Sequence, residues 1–406
     1  MNKARALAVL LCLCLAVAVL AGSASALFLF SLDWATRTRE AHRGLIWGLP
    51  VAGFAVGWLY LQWGRTVDAG NNLLIDEIHS PNQVVPLRMA PLILGSTVVS
   101  HLFGASVGRE GTAVQMGGAL ADQLSHHFKL TTTQRRMVLM TGISAGFASV
   151  FGTPLAGAVF ALEVLAGPAL RQMRWAALLP CAVAAVAADH VGLWWGVQHT
   201  LYSAGSLPAF TAWSLSAMLL AGGLMGLTAR VFALSTHGLS AWMKQRVPYA
   251  PLRPLIGGVL IAAVVGWGHA DRYIGLGIPV IVDAFSQPLA PWDFAAKLAL
   301  TVASLGSGFK GGEVTPLFYI GATLGNALAP LLQMPVGLMA AVGFVAVFAG
   351  AANTPLACSV MAMELFGVEV GAFAALACAV SYLFSGRASI YRAQRHRPAK
   401  GLPENT

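Results

Sequence analysis

Apolar segments follow one another along almost the whole chain, and many of them are too short to cross a bilayer. Residues 6–32 and 44–63 can span ~30 Å of hydrocarbon at ~1.5 Å per helical residue, whereas residues 154–165 and 355–366 cannot. Only 10% of the 406 residues are charged and 57% are hydrophobic, against roughly a quarter charged in soluble domains. The sequence therefore predicts an all-α, polytopic membrane protein with several short or broken helices, whose ends meet at a substrate site.

The first apolar run, residues 6–32, has two interpretations. Lys3 and Arg5 precede it and small residues fill positions 22–26, as in a secretory signal peptide. The run continues through Leu27-Phe28-Leu29-Phe30 to a length that spans a bilayer. This length favours a retained first helix.

A polar stretch, residues 65–82, interrupts the apolar segments. It contains Gly70-Asn71-Asn72 and is too short for a domain and too polar for a span that faces lipid. Irregular backbone at membrane depth is tolerated only where it lines a cavity or is buried in protein. We therefore expect a loop or re-entrant segment here.

The chain repeats itself. Thr-Pro-Leu-Ala followed by a glutamate occurs at Thr153 to Glu163 and again at Thr354 to Glu364, with an offset of 201 residues. The pattern Gly-x-Glu-x-Thr occurs at residues 108–112 and 311–315, with an offset of 203. Two matches in the same order predict two repeats of inverted topology, with a site at their interface.

The predicted division follows from this repeat. Residues 1–205 form the first membrane repeat, residues 206–385 the second, and residues 386–406 a basic cytoplasmic tail. Basic segments favour the cytoplasmic face, so both termini are expected inside a multi-pass protein of the cell inner membrane.

Four carboxylates lie in apolar sequence: Glu110, Glu163, Glu313 and Glu364. Such residues mark a pathway, a partner or a helix end. The symmetric placement of Glu163 and Glu364 favours a structural role at helix ends. Glu110 and Glu313 stand beside glycines at predicted helix starts, where free N–H groups can bind an anion. A tethered carboxylate fills such a site when ionised and leaves it when protonated, so these two are the candidates for gating and proton transfer.

The sequence supports three other functions less well: nucleic-acid binding, metal or cofactor binding, and catalysis within the membrane. The net charge of +9 arises from Lys and Arg at the ends of apolar segments, which does not favour nucleic-acid binding. The five cysteines match no metal motif, and we expect no metal and no cofactor. Residues 142–146 fit the pattern G-x-S-x-G, but they lie in an alanine-rich helix. We expect a helix-packing sequence and no enzyme; an intramembrane enzyme using Ser144 is the alternative.

The sequence Gly108-Arg109-Glu110-Gly111 resembles the gating element of the CLC chloride channels and proton-coupled anion antiporters. Gly70-Asn71-Asn72, residues 311–316 and Tyr391 are similar to further elements of that family, and the resemblance extends over almost the whole chain. It implies the CLC fold, a homodimer with one pathway per subunit, and Glu110 as the gating glutamate. Tyr391 would supply a phenolic donor toward the inner side of the pathway.

Departures from the chloride-handling pattern resemble the fluoride/proton antiporter branch. Asn71 stands where serine is usual, Thr112 where proline is usual, and residues 312–316 lack the usual phenylalanine. Val164 stands where the internal proton-transfer glutamate is usual. The resemblance implies export of fluoride in exchange for protons; the alternative is a chloride-selective or uncoupled anion channel of the same fold.

The predicted binding residues supply donors to a small, strongly hydrated anion, which must exchange its water for close contacts. Arg109 would raise the local anion concentration, and Arg88 would do so or lie at the membrane interface. The expected partners are fluoride, protons, the lipid bilayer and a second copy of the chain. The predicted anion-binding residues are Asn71, Gly108, Arg109, Gly111, Thr112, Val314, Thr315 and Tyr391.

Overall fold

The computed structural model describes residues 3–165 and 170–395, and α-helices dominate both ranges. Eight α-helices of the described ranges precede residue 195: α1 Lys3–Ala41, α2 Leu49–Leu59, α3 Asn71–His79, α4 Met89–Leu102, α5 Glu110–His127, α6 Thr132–Phe151, α7 Pro154–Glu163 and α8 Arg171–Trp194. Eight follow: α9 Ala212–Arg246, α10 Leu252–Gly268, α11 Ile278–Asp283, α12 Asp293–Ser307, α13 Val314–Leu328, α14 Val336–Ala352, α15 Pro355–Phe366 and α16 Gly371–Phe384. A 3-10 helix, Arg43–Gly48, and a π-helix, Tyr60–Gly64, flank α2. The all-α prediction is confirmed.

Helix length varies as the apolar segments predict. Within the described ranges, four helical stretches are long and apolar enough to cross a bilayer: Val9–Ala41, Arg43–Gly64, Trp175–Trp194 and Ala212–Arg246. The helices α7 and α15, by contrast, have only 10 and 12 residues. Such short helices can end inside the membrane only where protein surrounds their free backbone groups.

The first apolar run forms one continuous helix, α1, of 39 residues. The small residues at positions 22–26 do not interrupt it. Instead they allow close packing, because a Cβ on Gly22 would lie 2.7 Å from the carbonyl oxygen of Ala188 in α8. The helix α1 packs against α5, α6 and α8.

The predicted polar interruption, residues 65–82, contains the short helix α3 and lines a cavity. The predicted repeat boundary at residues 205 and 206 falls between α8 and α9, and its position stays a prediction. Of the predicted tail, residues 386–395 pack onto the helices, whereas residues 396–406 lie outside the described residues.

Corresponding helix pairs of the two repeats pack through glycines. A Cβ on Gly142 of α6 would lie 2.5 Å from the carbonyl oxygen of Gly117 in α5. In the second repeat, a Cβ on Gly321 of α13 would lie 2.0 Å from the carbonyl oxygen of Gly343 in α14. The G-x-S-x-G sequence is thus part of a helix contact, and the Ser144 hydroxyl donates to the carbonyl of Cys181 at 3.0 Å.

Glu163 and Glu364 each cap the start of a helix in the other repeat. The Glu364 carboxylate accepts hydrogen bonds from the N–H groups of Leu155 (2.8 Å) and Ala156 (2.7 Å) at the start of α7. The Glu163 carboxylate accepts one from Ala357 (2.8 Å) at the start of α15. The first N–H groups of a helix have no partner within it, and its dipole favours a negative charge there. These contacts support the predicted structural role at helix ends.

Candidate anion site

Two glycines join the starts of α5 and α13. The N–H of Gly108 donates to the carbonyl of Gly312 at 2.6 Å, and the N–H of Gly312 donates to that of Gly108 at 2.8 Å. A Cβ on Gly108 would lie 2.8 Å from Cδ of Pro316, and one on Gly312 would lie 2.8 Å from the nitrogen of Gly111. Glycine is therefore required at both positions, and the two repeated motifs meet in space.

Glu110 reaches across this junction. It is the first residue of α5, its exposure is 0%, and its carboxylate accepts hydrogen bonds from the N–H of Thr315 (3.0 Å) and from the Thr315 hydroxyl (2.6 Å). The backbone N–H and the Nε–H of Arg109 donate at 3.4 Å. A helix start with these donors can bind an anion, and here the Glu110 carboxylate fills that place.

Thr112 has the same position in its repeat as Thr315 but different contacts. Its N–H donates to the carbonyl of Arg109, and its hydroxyl shares a hydrogen bond of 2.8 Å with the buried hydroxyl of Thr97 in α4. The Thr112 hydroxyl can donate elsewhere only when Thr97 donates to it. Its predicted role as an anion ligand stays a prediction.

Asn71 approaches the junction from α3. Gly70 precedes it with a φ of +60°, a backbone turn that favours glycine. A Cβ on Gly111 would lie 3.1 Å from Nδ2 of Asn71, so a residue without a side chain permits this approach. The buried Oδ1 of Asn71 has no hydrogen-bond partner among the described residues. The Asn71 side chain thus lies beside the site with its acceptor oxygen unpaired, and its NH2 group is the part that can donate to an anion.

Tyr391 lies on the same side of the Gly108–Gly312 junction as Asn71. The two residues line a small pocket together with Val164, which is buried at the end of α7. Three hydrogen bonds fix the segment around Tyr391: Ile390 N–H to the Ala351 carbonyl (2.9 Å), Tyr391 N–H to the Ser389 hydroxyl (3.1 Å) and Ala393 N–H to Oδ1 of Asn72 (2.9 Å). Asn72 therefore links the Tyr391 segment to the helix that carries Asn71.

A cavity of about 770 Å³ opens from this side of the site. Asn71, Glu313 and Tyr391 line it, and we call it the basic vestibule because cations outnumber carboxylates on its wall. Glu313, the residue before α13, is only partly buried. The charged residues of the wall are Arg65, Lys244, Arg253, Lys310 and Arg392, against Asp68, Asp76 and Glu313.

The structure brings most of the predicted residues together around the Gly108–Gly312 junction or the vestibule. Val314 is buried as the first residue of α13. Arg88 lies apart and donates to the Thr66 hydroxyl at 2.8 Å. Sequence reasoning missed the roles of Asn72 and of Lys310, which pairs with Asp68 at 2.5 Å. No local motif contains either contact. The only signal in the sequence was that Asp68 and Lys310 each stand three residues before a predicted site residue.

Comparisons with known proteins identify the family of the chain. The family model for voltage gated chloride channels matches residues 52–386. A chloride/fluoride channel protein of Pseudomonas syringae pv. tomato is 62% identical over 386 residues, which cover 92% of this chain and 84% of that protein.

Solved structures share the fold. The crystal structure of a CLC-type fluoride/proton antiporter matches with a TM-score of 0.93 and 35% identity, over 97% of this chain and 100% of that one. A slow cyanobacterial Cl−/H+ antiporter matches with a TM-score of 0.79 over 93% and 94%; at 19% identity this likeness shows the fold alone. With most of its length matched by the family model, the chain is a multi-pass membrane protein of the voltage-gated chloride channel (CLC) family.

Proposed function

We propose that this protein exports fluoride in exchange for protons. The observation that carries the proposal is the Glu110 carboxylate, which occupies a buried site built from the N–H and hydroxyl of Thr315. A relative named for chloride and fluoride and a structural neighbour that is a fluoride/proton antiporter support the choice of anion.

The exchange follows from the two protonation states of Glu110. The ionised carboxylate holds the donors of Thr315 through charge-assisted hydrogen bonds and closes the site. Protonation removes the charge, weakens those bonds and lets the side chain leave, so that fluoride takes its place. When fluoride departs, the glutamate returns and releases its proton. One group that alternates with the anion moves protons and fluoride in opposite directions.

Asn71, Glu313 and Tyr391 would form the inner part of the pathway, because all three line the basic vestibule. Glu313, protonated part of the time, either donates to fluoride or passes protons between the vestibule and the site. Fluoride needs close donors to replace its water, and the Asn71 amide supplies them. We place the vestibule on the cytoplasmic side because the C-terminal segment lines it and a basic tail follows.

The assembly completes the proposal. The chain acts as a transporter and not as an enzyme, needs no metal or cofactor, and forms a homodimer in the lipid bilayer with one pathway in each subunit. Leu155 and Leu356, at the starts of α7 and α15, are exposed apolar residues that a second copy or lipid would cover.

The test is efflux from proteoliposomes loaded with both fluoride and chloride. Ion-selective electrodes follow the two anions while the external pH is recorded. We expect fluoride efflux with matching proton uptake and little loss of chloride. Chloride efflux without proton movement would contradict the proposal and would identify a chloride-selective or uncoupled channel of the same fold.

A further inference from the structure

An ion pair joins the two repeats at the wall of the basic vestibule. The Nζ of Lys310 lies 2.5 Å from Oδ1 of Asp68, a residue 242 positions earlier in the chain. Asp68 belongs to the loop between α2 and α3, and Lys310 belongs to the loop between α12 and α13. No motif identified in the sequence includes either residue.

The Lys310 ammonium is held from two directions. Besides Asp68, the ring of Tyr60 lies beside it, with Nζ 4.2 Å from the ring centroid. A cation over an aromatic face gains electrostatic stabilisation beyond that of the ion pair. The Lys310 side chain is 20% exposed, compared with 54% for Asp68. Exposed ion pairs contribute little when they are isolated, but this ammonium is fixed by two first-repeat residues.

Each loop leads directly to a residue of the pathway. Asp68 stands three residues before Asn71, and Lys310 stands three residues before Glu313. Both intervening segments turn at a glycine of positive φ, +60° at Gly70 and +157° at Gly311. The ion pair therefore ties two glycine turns together immediately before the side chains that line the vestibule.

We propose that Asp68 and Lys310 form a clamp that sets the separation of Asn71 and Glu313, and that anion selectivity and proton coupling depend on it. They act as positioning residues, since they affect the anion through Asn71 and Glu313. This inference rests on the proposed fluoride/proton exchange. The competing explanation is simple attraction, in which Lys310 only concentrates anions in the vestibule and Asp68 opposes it.

The positive charges around Asp68 favour an Asp68–Lys310 ion pair that persists over a wide pH range. Lys310 is the largest influence on Asp68 and lowers the pKa of its carboxyl group against the opposing effect of burial; Lys244 and Arg253 lower it further. The carboxylate thus stays ionised, and the clamp stays closed, at pH values below the usual range for aspartate.

The two explanations predict different signs for single substitutions. Under attraction, Asp68→Asn speeds anion flux and Lys310→Met slows it, and neither changes the ratio of fluoride to chloride. Under the clamp, both variants lower the fluoride-to-chloride ratio and the number of protons moved per fluoride by about three- to tenfold. The double variant Asp68→Asn/Lys310→Met then shows no more than either single change, because residues in contact are not additive.

Lys244 supplies the matched control. It lines the same vestibule from α9 and is exposed. Lys244→Met removes one positive charge, as Lys310→Met does, but leaves the clamp intact. We expect slower flux at low ionic strength with unchanged fluoride-to-chloride and proton-to-fluoride ratios. Lys244 acts on Asp68 through its charge alone, which salt screens, whereas Lys310 forms the ion pair.

The measurement is the proteoliposome assay on purified full-length protein, with both ratios as the readout. Ratios do not depend on how much protein folds, so a merely destabilised variant keeps them. The charge-reversed pair Asp68→Lys/Lys310→Asp should restore at least half of the loss. Opposite changes in flux with constant ratios, or no restoration, would overturn the clamp.

Failure of the clamp is distinguishable from failure of the proposed function. If the unmodified protein moves chloride without protons, the antiport proposal fails. The clamp then still predicts an equal loss of discrimination between chloride and nitrate in Asp68→Asn and Lys310→Met. Unequal or opposite changes in that ratio would overturn it in either case.

Discussion

Glu110 and Glu313 occupy equivalent places in the two repeats but have different surroundings. Glu110 is the first residue of α5 and is fully buried. Its carboxylate accepts hydrogen bonds from the N–H and the hydroxyl of Thr315 in the other repeat. Glu313 precedes α13 and lines the basic vestibule. The threonine that could serve Glu313 in the same way, Thr112, shares its hydroxyl with Thr97 instead.

Glu163 and Glu364 show the opposite behaviour. Each carboxylate accepts hydrogen bonds from the helix start of the other repeat. The Gly108–Gly312 junction is also reciprocal. Symmetry is therefore kept at the backbone junction and at the helix caps, and it is lost at the glutamate pair for which we propose gating and proton transfer. One glutamate pair forms matching caps, whereas the two members of the other pair have different contacts, from which we propose separate roles.

The largest effect is expected from Glu110→Gln, which removes from the buried site the carboxyl group that we propose carries the proton. The amide keeps the shape of the side chain but cannot take up and release a proton. We expect fluoride-driven proton flux to fall to the background of protein-free vesicles, while fluoride movement persists. Proton flux that continues in this variant would assign coupling to another residue and remove the asymmetry between the two glutamates.

A smaller effect is expected at Glu313, which lines the vestibule and which we propose passes protons from it. Glu313→Ala should slow coupled exchange by about a hundredfold, the lower end of what a positioned acid or base contributes. Glu313→Gln keeps an amide donor, so comparison of the two variants in the same assay separates donation from proton transfer. Unchanged coupling in Glu313→Ala would leave Glu313 without either role.

Local sequence explains which of these features were predictable. Glycines beside Glu110 and Glu313 encode turns and helix starts within a few residues, and a repeated pattern indicates that the two copies meet. The partner of a side chain depends on which distant segment folds against it. The Thr97–Thr112 contact, the Asp68–Lys310 pair and the hold of Asn72 on the Tyr391 segment join residues without a shared motif. The asymmetry of the two glutamates was therefore hidden from the sequence.

Thr315→Val tests whether the Thr315 hydroxyl, unlike that of Thr112, serves as a donor in the site. The variant loses the hydroxyl that contacts Glu110 and keeps the backbone N–H. A hydrogen bond to a charged group is worth about 1.5–3 kcal/mol, and about 1.4 kcal/mol is tenfold, so the fluoride concentration for half-maximal exchange should rise about tenfold to a hundredfold. Thr112→Val is the matched control, since its hydroxyl faces Thr97, and it should shift that concentration less than about threefold. Equal shifts would indicate that both threonines reach the anion.

The smallest effect is expected from the fixed caps. Glu163→Gln removes a charge from a helix start while leaving an oxygen that accepts the hydrogen bond from Ala357. Glu364→Gln also removes one of two accepted hydrogen bonds, because the amide nitrogen cannot accept from a backbone N–H. Each should lower the free energy of unfolding by about 1 kcal/mol, measured by denaturant unfolding of the purified protein in detergent. The number of protons moved per fluoride should not change, because these carboxylates do not exchange with the anion. A loss of coupling at unchanged stability would place this pair on the proton pathway, and the contrast between fixed and exchanging glutamates would then no longer hold.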